Sequence, residues 1–312
     1  MASRVRESIV ECMKEAQHDF SGDGDGNDND LRCEALQTLA TMTKISPQNR
    51  NLVAQTDGGV ASLLALSKSS ASPQNVRTLA LSVLFNLSLN PNLKHSLAQN
   101  DTVSHLISLV QSPHHSPESA KLAASFLCSL AMLDKNKAKF GVAGTLQDEK
   151  NGLIQVLVKA VSGPWSPASH HLLSTLAELV QFHGNCTLAV RAGAVPALIA
   201  VAESAEGEDL AGTSLVILGL LARFEEGLNE LKRTDRVVAR MVGILKSGCF
   251  LSKEGAAEIL LRLFDDSHKC LRDATELPDF LSALAEISVG GSGRARDKAS
   301  LLMKKLMDAN LY

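Results

Sequence analysis

The chain has 312 residues, 45% of them hydrophobic, 4% aromatic and 21% charged, with a formal net charge of −3. Forty-nine leucines against so few aromatics point to helices rather than to aromatic and β-branched sheets. The charge balance lacks the basic stripe of a nucleic-acid binder, and the longest apolar run, Leu215–Ala222, falls well short of a membrane span.

The first predicted element is a helix over residues 4–18, in which Val5, Ile9, Cys12/Met13 and Ala16 form an apolar stripe at helical spacing. It is expected to cap whatever follows (domain 1–18). Residues 19–30, DFSGDGDGNDND, read as an acidic, flexible linker whose charges repel. Asp23, Asp25, Asn27 and Glu34 also match positions 1, 3, 5 and 12 of a calcium loop, but Asp28 stands where the sharp turn needs glycine. No metal is therefore expected there. From residue 31 onward a repeat becomes legible.

The segment Leu81-Ser-Val-Leu-Phe-Asn-Leu-Ser88 has relatives along the chain. Its Asn86 aligns with Thr41, Ser129, Glu178, Leu220, Arg262 and Lys305, at steps of 45, 43, 49, 42, 42 and 43 residues. A second series of anchors, Val60, Val103, Leu153, Val195, Val238 and Leu277, keeps the same period. The long step of 49 is localised to one insertion around Gly144 to Gly152. A period near 43 with two or three helices per repeat predicts an armadillo or HEAT array of about six units over residues 31–312. Each unit reads as a short first helix (92–98), a second helix opened by Gly58-Gly59 or Gly193, and a long third helix (72–89). In the third, Val76, Leu79/Ala80, Val83/Leu84 and Leu87 recur at i, i+3, i+4, i+7.

Asn185-Cys-Thr-Leu-Ala-Val-Arg-Ala-Gly-Ala-Val-Pro-Ala-Leu-Ile199 resembles the armadillo motif, and Leu84-Phe-Asn-Leu-Ser88 its ending. The chain resembles, more narrowly, the armadillo (ARM) region of plant U-box ubiquitin ligases. That likeness rests on Asp134-Lys-Asn-Lys137, Ala189-Val-Arg-Ala-Gly193, Gly255-Ala-Ala-Glu-Ile-Leu-Leu-Arg-Leu263 and Gly293-Arg-Ala-Arg-Asp-Lys-Ala-Ser-Leu-Leu302. The fold class implied is all-α, a right-handed ARM superhelix. Residues 1–30 are too short to hold the U-box with which family members engage the ubiquitin-conjugating enzyme, so ligase activity is not expected from this chain.

The chain carries few motifs of catalytic or metal chemistry. The chain has no G-x-x-x-x-G-K-[ST], no H-E-x-x-H and no strand-borne G-x-S-x-G. His114-His115 and His170-His171 lack a cysteine or carboxylate at ligand spacing. Gly290-Gly-Ser-Gly293 reads as a turn between helices. The six cysteines have no C-x-x-C spacing and read as thiols of an intracellular protein, in cytoplasm or nucleus. Serine precedes five of the nine prolines, at Ser46, Ser72, Ser112, Ser116 and Ser166. Helix N-capping explains most of these, and proline-directed phosphorylation is the alternative, with residues 112–117 its best candidate. No catalytic residue, metal or cofactor is predicted.

Function then falls to binding. Third helices line the concave face in ARM arrays, and six units at helix spacings of about 8–10 Å give a groove of about 50–60 Å. At about 3.3 Å per residue such a groove accepts some 15 residues of extended peptide. Each anchor shares a helix face with the residue four before it. The predicted groove pairs are Gln37/Thr41, Ser82/Asn86, Ser125/Ser129, Ser174/Glu178, Val216/Leu220, Glu258/Arg262 and Leu301/Lys305. Asn86 has a second reading, a hydrogen bond to neighbouring backbone. Nuclear-import receptors of the superfamily use Trp and Asn at these places. Here only Asn86 keeps the Asn and no pair contains Trp, so that role is disfavoured. Val216/Leu220 is the one apolar pair between polar ones and is predicted to hold a hydrophobic side chain of the partner, unless it turns into the core. The expected partner is a protein, with no nucleic acid and no membrane, bound by a monomer. The expected role is a non-catalytic scaffold in signalling or ubiquitin pathways, the alternative being the substrate-binding part of a U-box ligase.

Overall fold

A computed structural model describes residues 2–18, 26–112, 116–141, 152–204 and 207–309. Every regular element among the described residues is an α-helix. Helices α1 (Ala2–Gln17) and α2 (Gly26–Ile45) open the chain, and six triplets follow. They are α3 (Pro47–Gln55), α4 (Gly59–Lys68) and α5 (Gln74–Ser88), then α6 (Pro91–Leu97), α7 (Asn100–Gln111) and α8 (Pro117–Ala131). Next come α9 (Asp134–Gly141), α10 (Leu153–Val161) and α11 (Ser169–Leu179), then α12 (His183–Arg191), α13 (Ala194–Glu203) and α14 (Glu208–Leu221). The last two are α15 (Glu225–Arg233), α16 (Val237–Ser247) and α17 (Phe250–Asp266), and α18 (His268–Thr275), α19 (Phe280–Gly290) and α20 (Gly293–Asp308). The chain forms two compact units, residues 1–150 with 166–175, and residues 151–165 with 176–312. The insertion at residues 144–152 lies almost wholly outside the described residues.

In the first unit α1 packs on α2, α3 and α4, with Ile9, Met13 and Ala16 buried. Gln17 Nε2 ties its end to the Asp57 carbonyl at 3.1 Å and to Ser62 Oγ at 3.3 Å. Helix α2 starts at Gly26, five residues before the expected Leu31, so residues 26–30 are helix rather than linker. Residues 19–25 lie outside the described residues. The calcium template is overturned by the same observation, because its positions 4 to 12 lie in a helix, which does not form the loop that wraps an ion.

The repeat is encoded by local rules. Gly58 and Gly193 adopt left-handed φ values of 65° and 85° immediately before α4 and α13, which glycine does without steric cost. At the equivalent place before α16 stands Arg236, with φ of 52°. Ser46 and Ser116 accept from Asn49 N and Ser119 N, capping α3 and α8. Asn49, Asn136 and Asn185, each third in its first helix, donate Nδ2 to the carbonyls of Met42, Leu130 and Leu179 at 3.0, 2.9 and 2.8 Å. Each thereby satisfies a carbonyl near the end of the third helix before it. One anchor needs correction: Leu277 precedes α19, and the buried Phe280 is the true equivalent of Val238. Phe280 stands 18 residues after Arg262 and 25 before Lys305, which removes the irregular spacing that Leu277 introduced.

In the second unit α14, α17 and α20 pack in succession, backed by α13, α16 and α19. Glycines let these helices approach closely. A Cβ on Gly255 would lie 2.6 Å from Leu215 Cβ, and one on Gly212 would lie 2.7 Å from Leu251 Cδ2.

Candidate binding face of the third helices

The candidate site is the open side of the third helices. In the first unit Gln37 and Thr41 on α2 are exposed, and Ser82 and Ser125 are half-buried. The hydroxyls of Thr41, Ser125 and Ser174 each donate to the carbonyl four residues back, at 2.9 Å. Their protons are thus engaged within their own helices, leaving lone pairs for a ligand.

Two predicted residues do not belong to this face. Asn86 is only 5% exposed, and its Nδ2 donates to the Ala40 carbonyl at 2.9 Å and to Thr43 Oγ1 at 3.1 Å on α2. Ser129 is only 4% exposed. It donates to the Ser88 carbonyl at 3.0 Å and accepts from Ser88 Oγ at 2.9 Å and from the buried Lys94 Nζ at 2.8 Å. Both are pins between consecutive third helices, because close packing on the preceding helix turns the anchor inward. The side of α5 and α8 that remains open runs through Ser82, Phe85 and Leu89, and through Ser125, Cys128 and Met132. Phe85, Leu89, Cys128 and Met132 were missed by the sequence reading. A step of three rather than four from Ser82 and Ser125 would have reached Phe85 and Cys128.

Glu178 accepts from Gln181 Nε2 at 3.3 Å near the end of α11. In the second unit Val216 is 40% exposed and Leu220 half-buried, so neither is turned into the core. On α17, Glu258 binds Arg262 at 2.6 Å, and Lys298 of α20 bridges Glu254 and Glu258 at 3.4 Å each. Burial pushes the Glu258 carboxyl up, but the Arg262 guanidinium and the Lys298 ammonium outweigh it and hold the group below the usual glutamate value. Beyond this network Leu301 is exposed, and Lys305 pairs with Asp265. The face in this unit therefore alternates apolar, charged and apolar from α14 to α20.

No catalytic constellation is assembled among the described residues. His170 and His171 have ring centroids 5.9 Å apart, and His114 and His115 lie outside the described residues. Among the described residues no group of three or more His, Cys, Asp or Glu is placed to hold a metal. None of the six cysteines is in a disulfide, and burial, reinforced by Glu226, pushes the Cys186 thiol up to about 11. No single helix among the described residues is long and apolar enough to cross a membrane.

Stacked three-helix repeats with a third-helix face define an armadillo-repeat protein. The chain superposes on an engineered protein solved by crystallography with a TM-score of 0.76, at 18% identity, over 97% of this chain and 72% of that one. It superposes on a computationally designed armadillo repeat protein for modular peptide recognition with a TM-score of 0.67, at 15% identity, over 81% of this chain and 99% of that one. Residues 7–311 match the plant U-box protein ARM repeat region, and the chain belongs to that family. U-box domain-containing protein 8 of Arabidopsis thaliana is 26% identical over 220 residues, which is 70% of this chain and 54% of the relative. U-box domain-containing protein 1 of Medicago truncatula is 31% identical over 123 residues, 38% of this chain and 17% of the relative. The chain thus spans about half or less of the curated relatives it matches.

Proposed function

We propose that this chain is a non-catalytic scaffold that binds a segment of a partner protein along the open face of its third helices, in a signalling or ubiquitin pathway of cytoplasm or nucleus. The observation that carries the reading is the exposure of Val216 beside the half-buried Leu220, next to the charged Glu258–Arg262–Lys298 network. An apolar spot rimmed by polar groups is how anchor pockets are built. The polar hydroxyls of α2, α5 and α8 suit contacts to extended backbone. The working form is a monomer.

The test is Leu220→Asp against a partner identified by affinity capture and mass spectrometry. Binding is expected to weaken by more than ~2 kcal/mol, as hot spots do, with helical content unchanged. Unaltered affinity, or an unfolded variant, defeats the anchor. A second reading, that the chain is the substrate-binding part of a U-box ligase, draws on the U-box relatives being about twice its matched length or more. Ubiquitin transfer by the purified chain with a conjugating enzyme would overturn the scaffold reading.

A further inference from the structure

The first unit contains a cavity of about 140 Å³ away from the third-helix face, at the edge where second helices end and third helices begin. It is lined by Ser67 and Lys68 from α4, Gln74 and Arg77 from α5, His105 and Ser108 from α7, and Ser119 from α8, over an apolar floor of Leu81 and Leu109. No carboxylate is among the lining residues. Lys68 pairs with Asp101, outside the lining. Arg77 meets no carboxylate among the described residues. Its one guanidinium contact is NH2 to Gln74 Oε1 at 2.6 Å, and its Nε is buried without a partner. Arg77 as a whole is only half-buried and lines the cavity, so its guanidinium is within reach of a ligand there.

The surrounding groups are held in place. Gln74 Nε2 donates to Ser119 Oγ at 3.1 Å, Thr78 Oγ1 lies 3.1 Å from the same oxygen, and Ser67 Oγ is 3.3 Å from His105 Nε2. The first turns of α5 and α8 face the ends of α4 and α7, so the helix fields partly cancel and the side chains decide the charge. The second unit supplies an internal comparison. Its equivalent cavity, about 490 Å³, has Glu203 where the first has Lys68, Glu208 for Gln74, Ala211 for Arg77 and Arg240 for His105. There Arg240 is already paired with Glu203 at 2.7 Å. The fold makes the hollow in both places, but only the first version is furnished with cations and neutral donors alone.

We propose that the Lys68–Arg77–His105 cavity binds the phosphoryl group of a phosphomonoester. Arg77 supplies the charge-assisted contact, Lys68 the rim charge, and the serine hydroxyls and Gln74 the remaining donors. The volume is sufficient for one phosphoryl group and its ester oxygen.

The full chain is titrated calorimetrically at constant ionic strength with sodium phosphate, with a short phosphoserine peptide and with its unphosphorylated form. Phosphate and the phosphopeptide bind, and the unphosphorylated peptide does not. A phosphopeptide tighter than phosphate traces the group to a polypeptide, and equal affinities trace it to a free anion; both uphold the cavity. Arg77→Gln weakens binding about tenfold or more, as loss of a charge-assisted contact does, while Arg240→Gln in the second unit leaves it unchanged. Should Arg77→Gln fail to fold, Lys68→Gln at the rim gives the same direction at several-fold. No phosphate binding by the unmodified chain, or binding that survives a folded Arg77→Gln, overturns the proposal.

Discussion

Gly227 tests whether repeat consensus or local packing sets stability. It is third in α15, where α3, α9 and α12 carry Asn49, Asn136 and Asn185, so the repeat pattern alone recommends Asn at 227. The structure forbids any side chain there. A Cβ on Gly227 would lie 2.2 Å from the Leu221 carbonyl oxygen and 2.6 Å from its carbon. Carbon meets a carbonyl oxygen at about 3.3 Å, so α15 must withdraw from the end of α14 by about 1 Å. Both partners in the clash are backbone, and Leu221 is fully buried, so no rotamer change relieves it. Overpacking of this kind costs about 1–3 kcal/mol, against a helix-propensity gain of at most ~1 kcal/mol. Gly227→Ala is therefore expected to destabilise the second unit by about 1–2 kcal/mol, read as a lower urea midpoint and faster amide exchange in α14 and α15. Gly243→Ala is the control. That glycine is exposed in α16 with nothing within 4 Å of its Cβ position, so the change should stabilise by ~0.5–1 kcal/mol. A Gly227→Ala midpoint equal to or above that of the parent would refute the reasoning.

Asn86→Ala removes two interhelical hydrogen bonds and leaves a small void, so the α2–α5 seam should lose ~2 kcal/mol, seen as faster amide exchange in those helices. Unchanged exchange would return Asn86 to the candidate face. Arg236→Gly relieves a left-handed backbone at an exposed arginine and should raise thermal stability by ~0.5–1 kcal/mol, an unchanged or lower midpoint counting against it. Glu258 has a carboxyl held below its ordinary value in the fold, so its stabilisation is present above the unfolded value and lost as pH falls through the folded one. Glu258→Gln should accordingly be less stable than the parent at neutral pH and equal to it once pH drops below the glutamate range. A gap that persists in acid would show that the loss is steric.

The architecture was legible because a repeat writes its core many times. Two anchors at a common period, glycines before the second helices and leucines at helical spacing all report local geometry, which the chain carries wherever it goes. The spacing even held the correction of Leu277 to Phe280, since one irregular interval marked the misplaced anchor. The candidate face was legible only in part. Val216, Gln37 and Thr41 are exposed and Leu220 is half-buried, whereas Asn86 and Ser129 are drawn into seams between consecutive third helices. The difference is a rotation of about one residue, and helical periodicity cannot fix it, because i+3 and i+4 share a face until a neighbouring helix covers one of them. Residues 26–30 became helix although their composition reads as linker, because an acidic residue such as Asp30 suits the N-terminal end of a helix, where the dipole favours negative charge. The Lys68–Arg77–His105 cavity had no sequence signal at all. Its residues come from four helices over some fifty positions, and only the stacking of one repeat on the next brings them round a common space.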